Sequence, residues 1–152
     1  MKILVAVDSS SYAQDILQEI AGRIWAKDTQ FYVLTAIEPC HDWDASQQYL
    51  QEAKLILEQR VACLKKRLPH NKITGHVSEG SAASVIGRTA RELDAHLIII
   101  GSHGDTGHRL AGIGSVAAAV VNDAPCSVEV VKLTKSFAKK LKAGSLPEKL
   151  LT

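Results

Sequence analysis

Three glycines and a serine carry the strongest chemical signal in this chain. Gly101-Ser-His-Gly104 is separated by nine residues from Gly114-Ser115. Directly ahead stands Leu97-Ile-Ile-Ile100, a short apolar run of the kind that forms a buried strand. Directly after, Ser115-Val-Ala-Ala-Ala-Val-Val121 reads as the start of a helix. Strand, glycine-rich loop and helix N-terminus in that order make an anion site. Glycine lets the backbone come close to a ligand, and the free N–H groups of the first helical turn point at it. The chemistry indicated is the holding of a phosphate chain.

Two better-known phosphate motifs do not account for these glycines. Gly107-His-Arg-Leu-Ala-Gly112 has the two-glycine spacing of a P-loop, but Ile113-Gly114 stands where Lys-Ser/Thr is required. Gly112-Ile-Gly114-Ser-Val-Ala117 fits the alanine variant of the dinucleotide fingerprint. It does not leave a strand directly, however, and Lys132 occupies the end of the next strand, where a ribose-binding acid belongs. Other residues near the loop have chemical potential. Arg109 either forks onto a terminal phosphate or faces solvent. His103 has the type of a general base but needs a partner before that role can be assigned. Asp105 brings negative charge close to the phosphates. His41, Asp42 and Asp44 are metal-ligating types without metal spacing, so Mg²⁺ is expected only on a nucleotide's phosphates. Trp43 beside them is either a lid over a base or an exposed aromatic.

The elements that must position these residues alternate. Residues 3–7 form strand one, ending at Asp8. Ser9 to Ser11 are capping types, and Ala13, Ile16, Leu17, Ile20 and Ile24 recur at helical spacing. Phe31 to Ile37 is strand two, and residues 39–46 are a loop. Leu50, Ala53, Leu57, Val61, Leu64 and Leu68 give a long second helix, stopped by Pro69. Lys72 to Val77 is strand three, Ala82 to Leu93 helix three, and 97–100 strand four. Helix four spans about 115–122 and strand five runs from Cys126 to Val131. Strict β-α alternation predicts an α/β fold: a single five-stranded parallel sheet with helices on both faces. Of the common strand orders 2-1-3-4-5 and 3-2-1-4-5, the second is expected. It places the glycine loop after strand four beside Asp8, at the crevice where winding reverses. Asp8 there either caps helix one or touches the ligand, and Ser115 serves as N-cap and anion contact together.

Bulk properties narrow the class. The chain has 152 residues, 46% hydrophobic and 22% charged, enough for one core. A net charge of +2 is too small to make nucleic acid or an anionic membrane surface a main partner. No run approaches the ~18 apolar residues of a membrane span. Met1 to Val7 is read as a strand rather than a leader, because Asp8 interrupts it, so a cytoplasmic location is expected. Cys40, Cys63 and Cys126 form no CxxC pair and are read as free thiols. Residues 133–152 differ from the rest, with Lys135, Lys139, Lys140, Lys142 and Lys149. They are read as a basic C-terminal extension to a 1–132 domain, either a short helix or a loose tail.

The full spacing G-x2-G-x9-G-[S/T] resembles that of the universal stress protein family. Val5-Ala-Val-Asp8-Ser-Ser10, Glu79-Gly80-Ser81 and Asn122-Asp-Ala-Pro-Cys126-Ser-Val-Glu-Val-Val131 resemble that family's strand-one end, its turn before helix three and its last strand. The resemblance implies a Rossmann-like fold of the adenine nucleotide α-hydrolase-like kind, usually dimeric, holding ATP or AMP. It implies that Asp8 and backbone near Ile37 face adenine and ribose, with Gly101 near ribose and the first phosphate. Gly104, Gly114, Ser115 and Val116 would hold the phosphates. It further implies two-fold pairing of strand five, whose Val128, Val130 and Val131 otherwise lie on a free apolar edge. The leading functional expectation is an adenine-nucleotide-binding module acting in stress response or signalling. A slow ATPase using the same pocket and a structural dimer without nucleotide are the alternatives. The missing P-loop lysine disfavours efficient hydrolysis, and the glycine pattern disfavours an empty pocket.

Overall fold

The computed structural model describes residues 1–103 and 112–132. Its elements are β1 (Lys2–Ala6), α1 (Tyr12–Ala21), β2 (Gln30–Ile37), α2 (Trp43–Arg67), β3 (Lys72–Glu79), α3 (Ala82–Leu93), β4 (Leu97–Gly101), α4 (Ser115–Asp123) and β5 (Ser127–Val131). The five strands form one parallel sheet in the order β3-β2-β1-β4-β5, as expected. The basic extension lies outside the described residues, and among those residues no helix is long and apolar enough to cross a membrane.

The alternation of β1 decides the layers. Ile3, Val5 and Val7 face α1 and α2 and pack with Ile16, Ile20, Leu57 and Val61. Leu4 and Ala6 face α3 and α4 and pack with Val85, Ile86, Ala117 and Val120. Ile3, Leu4 and Val5 are wholly excluded from solvent, the expected state of a central parallel strand covered on both faces. Gly75 on β3 lets α2 come close: a Cβ there would lie 2.9 Å from Val61 Cγ2.

Most boundaries fall within two residues of the sequence expectation, and two helix ends differ by more. Helix α1 ends at Ala21, not beyond Ile24. The Gly22 N–H closes the helix onto Gln18 O, and Trp25 Nε1 donates to Ile20 O at 2.8 Å while its ring meets Phe31 edge-on. That fold-back turns Ile24 fully outward. Helix α2 begins at Trp43, inside the expected loop, because Asp42 caps it: Oδ1 accepts from Asp44 N at 3.0 Å and Ala45 N at 3.3 Å. The His41–Asp44 cluster is thus a helix start. Among the described residues no three metal-ligating side chains gather.

Strand β5, at the sheet edge, is tied to α1 by Arg23. Its Nη1 donates to Glu129 Oε2 at 2.9 Å, and Nη2 donates to Glu129 Oε1 and, at 3.2 Å, to Glu19. The hydrogen bonds from Arg23 hold the Glu129 carboxyl below its usual 4.5, against the opposing effect of burial. A carboxyl depressed in the folded state adds stability that is present above its unfolded value and fades as pH falls through the folded one. Both side chains are a third exposed, so the contribution is modest. Glu129→Gln is expected to lower unfolding free energy by about 0.5–1 kcal/mol at neutral pH. Urea denaturation from pH 7 to pH 3 should show that difference intact above pH 4.5 and shrinking below it.

Candidate functional site

At the carboxyl ends of the strands, a cleft of about 630 Å³ opens between the β1–α1 and β4–α4 connections. It is where the sequence reading placed the site. Ala6, Leu34, Ala36, Ile86 and Ile100 give it an apolar floor, and Tyr12 from α1 forms part of a wall. Because β1 stands between β2 and β4, the polar lining is laid out in space as Glu38, then Asp8, then Gly101. A second hollow of about 510 Å³ lies on the flank of β2 and β3. There Arg88 donates to Ser78 Oγ at 3.4 Å and lies 4.0 Å from Glu92, and Tyr32 donates to Gln30.

Of the two roles considered for Asp8, the structure places it at the cleft and not at the cap of α1. It lines the cleft, and its Oδ1 accepts from the Ser10 N–H at 3.0 Å and from the Ser10 hydroxyl. It therefore braces the turn that enters α1. The N-cap position itself belongs to Ser11, which makes no side-chain cap bond. Ile37 stands between two lining residues, Ala36 and Glu38, and its carbonyl accepts the Gly80 N–H at 2.9 Å.

The glycine-rich segment is anchored at both described ends. Gly101 closes β4 opposite Val131. Ser102, almost wholly buried, donates its N–H to Val131 O at 2.9 Å, and its carbonyl accepts the Gly114 N–H at 2.6 Å. Gly114 is the N-cap of α4, in extended conformation, and Ser115 is the first helical residue, one position later than its expected capping role. The first N–H groups of α4 have no intrahelical partner and open toward the cleft, whose lining includes Gly114, Ser115 and Val116. His103 lines the same end, and its Nδ1 lies 3.0 Å from Ser102 Oγ, a partner that sequence alone did not supply. Gly104, Asp105, His108 and Arg109 lie outside the described residues.

The cleft is polarised. Among the described lining residues are two carboxylates, Asp8 and Glu38, and no lysine or arginine. The electropositive end is the α4 N-terminus. At Gly114 the chain packs closely on the end of β4: a Cβ there would lie 3.1 Å from Ser102 O. Sequence reasoning missed Tyr12 and Glu38 in the lining and, behind it, Arg60. It lies on α2, 50 residues or more from Asp8, Ser9 and Ser10, whose carbonyls it holds.

This is an open, doubly wound parallel α/β protein with a helix N-terminus at its switch point. The chain belongs to the universal stress protein family, whose model matches residues 1–132. It is 30% identical over 146 residues to universal stress protein A homolog 2 of Coxiella burnetii, covering 89% of this chain and 97% of that one. Among solved structures, universal stress protein UspA from Lactobacillus plantarum superposes with a TM-score of 0.68 at 26% identity, over 86% of this chain and 97% of the other. The universal stress protein from Archaeoglobus fulgidus in complex with dAMP gives a TM-score of 0.62 at 25% identity, over 87% and 98%.

The two glycines should respond differently to a methyl group. At Gly114 the added carbon meets backbone, whereas at Gly101 it meets the rotatable end of Ile16 at 2.9 Å. Gly114→Ala is therefore expected to cost about 1–3 kcal/mol of stability, the usual range for overpacking, and Gly101→Ala distinctly less. Chemical denaturation of the two variants checks the order.

Proposed function

We propose that this protein binds an adenine nucleotide, ATP or AMP, in the β1–β4 cleft. One observation carries the reading: a glycine-capped helix N-terminus, fastened to the end of β4, faces the Asp8 carboxylate across an apolar floor. A nucleotide is a molecule of that polarity. Its base is flat and apolar, its sugar and exocyclic amine donate hydrogen bonds, and its phosphates accept them. The Archaeoglobus relative solved with dAMP supports the assignment.

On this reading Asp8 and backbone near Ile37 meet adenosine, and Gly101 lies near the ribose and first phosphate. Gly114, Ser115 and Val116 hold phosphate through backbone N–H groups and the Ser115 hydroxyl. Gly104 and Arg109 complete the phosphate end, and Mg²⁺ arrives on the phosphates rather than on protein ligands. The module acts in stress response or signalling by changing its partners with the bound nucleotide. It works as a homodimer through β5, an edge strand bonded among the described strands to β4 alone, with half-buried Val128 and Val130.

Mass spectrometry of the native purified protein should reveal co-purifying ATP, ADP or AMP, and calorimetry should show binding of at least one. Gly114→Asp should abolish binding while circular dichroism stays native. No binding of any of the three at millimolar ligand removes the reading. Sedimentation should give twice the chain mass, and Val130→Lys should halve it. Because Val130 also packs against the α3–α4 core, circular dichroism of that variant must confirm a folded chain.

A further inference from the structure

Arg60 does not line the cleft, yet it governs the loop that does. It projects from α2 beside the buried stripe of Leu57, Val61 and Leu64. Its Nη1 donates to Asp8 O, and its Nη2 donates to Ser10 O at 2.8 Å with Ser9 O at 3.5 Å. Three successive carbonyls of the five-residue β1–α1 connection, residues 7–11, thus converge on one guanidinium. The planar fork can address several acceptors at once, which a lysine ammonium on its flexible stem does not reproduce. The far side of the same short loop holds Asp8, whose Oδ1 accepts from the N–H and hydroxyl of Ser10. Arg60 fixes the Ser10 backbone, and Ser10 fixes the Asp8 carboxylate. Burial lowers the Arg60 pKa from its ordinary value, while the Asp8 charge works the other way.

We propose that Arg60 is a positioning residue for the ligand: it presets the direction of the Asp8 carboxylate, so affinity depends on a side chain outside the cleft. The proposal rests on the nucleotide reading of the cleft. A ligand-facing group held by a supporting shell loses less freedom on binding, and loosening that shell weakens the contact without removing it.

A double-mutant cycle tests this, with AMP affinity measured by calorimetry in wild type, Asp8→Ala, Arg60→Ala and the double variant. Arg60→Ala should weaken AMP binding by about tenfold, the equivalent of one charge-assisted hydrogen bond, because the Asp8 contact is what it supports. In the Asp8→Ala background the same substitution should cost about twofold or less, since residues acting as a unit are not additive. Arg60→Lys keeps the charge and most of the stem, safeguards against a variant that fails to fold, and should restore only part of the loss. Equal losses in both backgrounds, no loss at all, or full rescue by lysine overturns the positioning role while leaving the nucleotide reading intact. Failure of the wild type to bind AMP, ADP or ATP overturns the nucleotide reading, and the proposal goes with it.

Discussion

Strand β1 is hydrogen-bonded on both sides, to β2 and to β4, and the chain reaches those neighbours by crossovers running in opposite directions. Right-handedness of each crossover then sends α1 and α2 to one face and α3 and α4 to the other. At the carboxyl ends the connections after β1 and β4 lead to helices on opposite faces, so a crevice opens outside the paired strands there. Everything else follows from that reversal: where the cleft lies, why Asp8 and Gly101 end up beside each other, and why α4 starts at its rim. The apolar alternation of β1, two side chains to each layer with Val7 just beyond it adding a third to one, makes the reversal stable by filling both cores from a single stretch of chain.

The described lining of the cleft holds no cationic side chain. Backbone N–H groups and the dipole of α4 supply the positive potential, and such fixed donors need little reorganisation when a ligand arrives. The opposite end carries Asp8 and Glu38, which would repel phosphate placed there. On the nucleotide reading, phosphates entering the wrong way round would meet two carboxylates.

The strand order was legible, and so was the placing of Asp8, Gly101, Gly114, Ser115 and Val116 around one cleft, because each has a local signature. The buried strands are apolar runs, and glycine, serine and aspartate mark the points where strands hand over to helices. What was not legible has an identifiable physical cause. Ile24 continues the helical period of Ala13 to Ile20, but Gly22 and the fold-back of Trp25 end α1 first. The capping signal of Asp42 was present, yet it sat among residues of loop type, and Trp43 opens α2 three-quarters exposed. The one-residue shift between Ser115 and Gly114 is set by backbone geometry around Ser102, which no local pattern encodes. Arg60 had no signal at all. On the sequence it is one more cation on a long helix, and its meaning comes from partners 50 to 52 residues away.

The bond from Gly114 N–H to Ser102 O has a meaning beyond geometry. Eleven residues lie between its two partners in sequence. Bringing the ends of a chain of that length together costs about 2 kcal/mol of closure entropy, scaling as the logarithm of the length. Folding meets that cost once, when β4 and α4 are set in place. Whatever meets the N-terminus of α4 afterwards finds Ser102 and Gly114 already brought together.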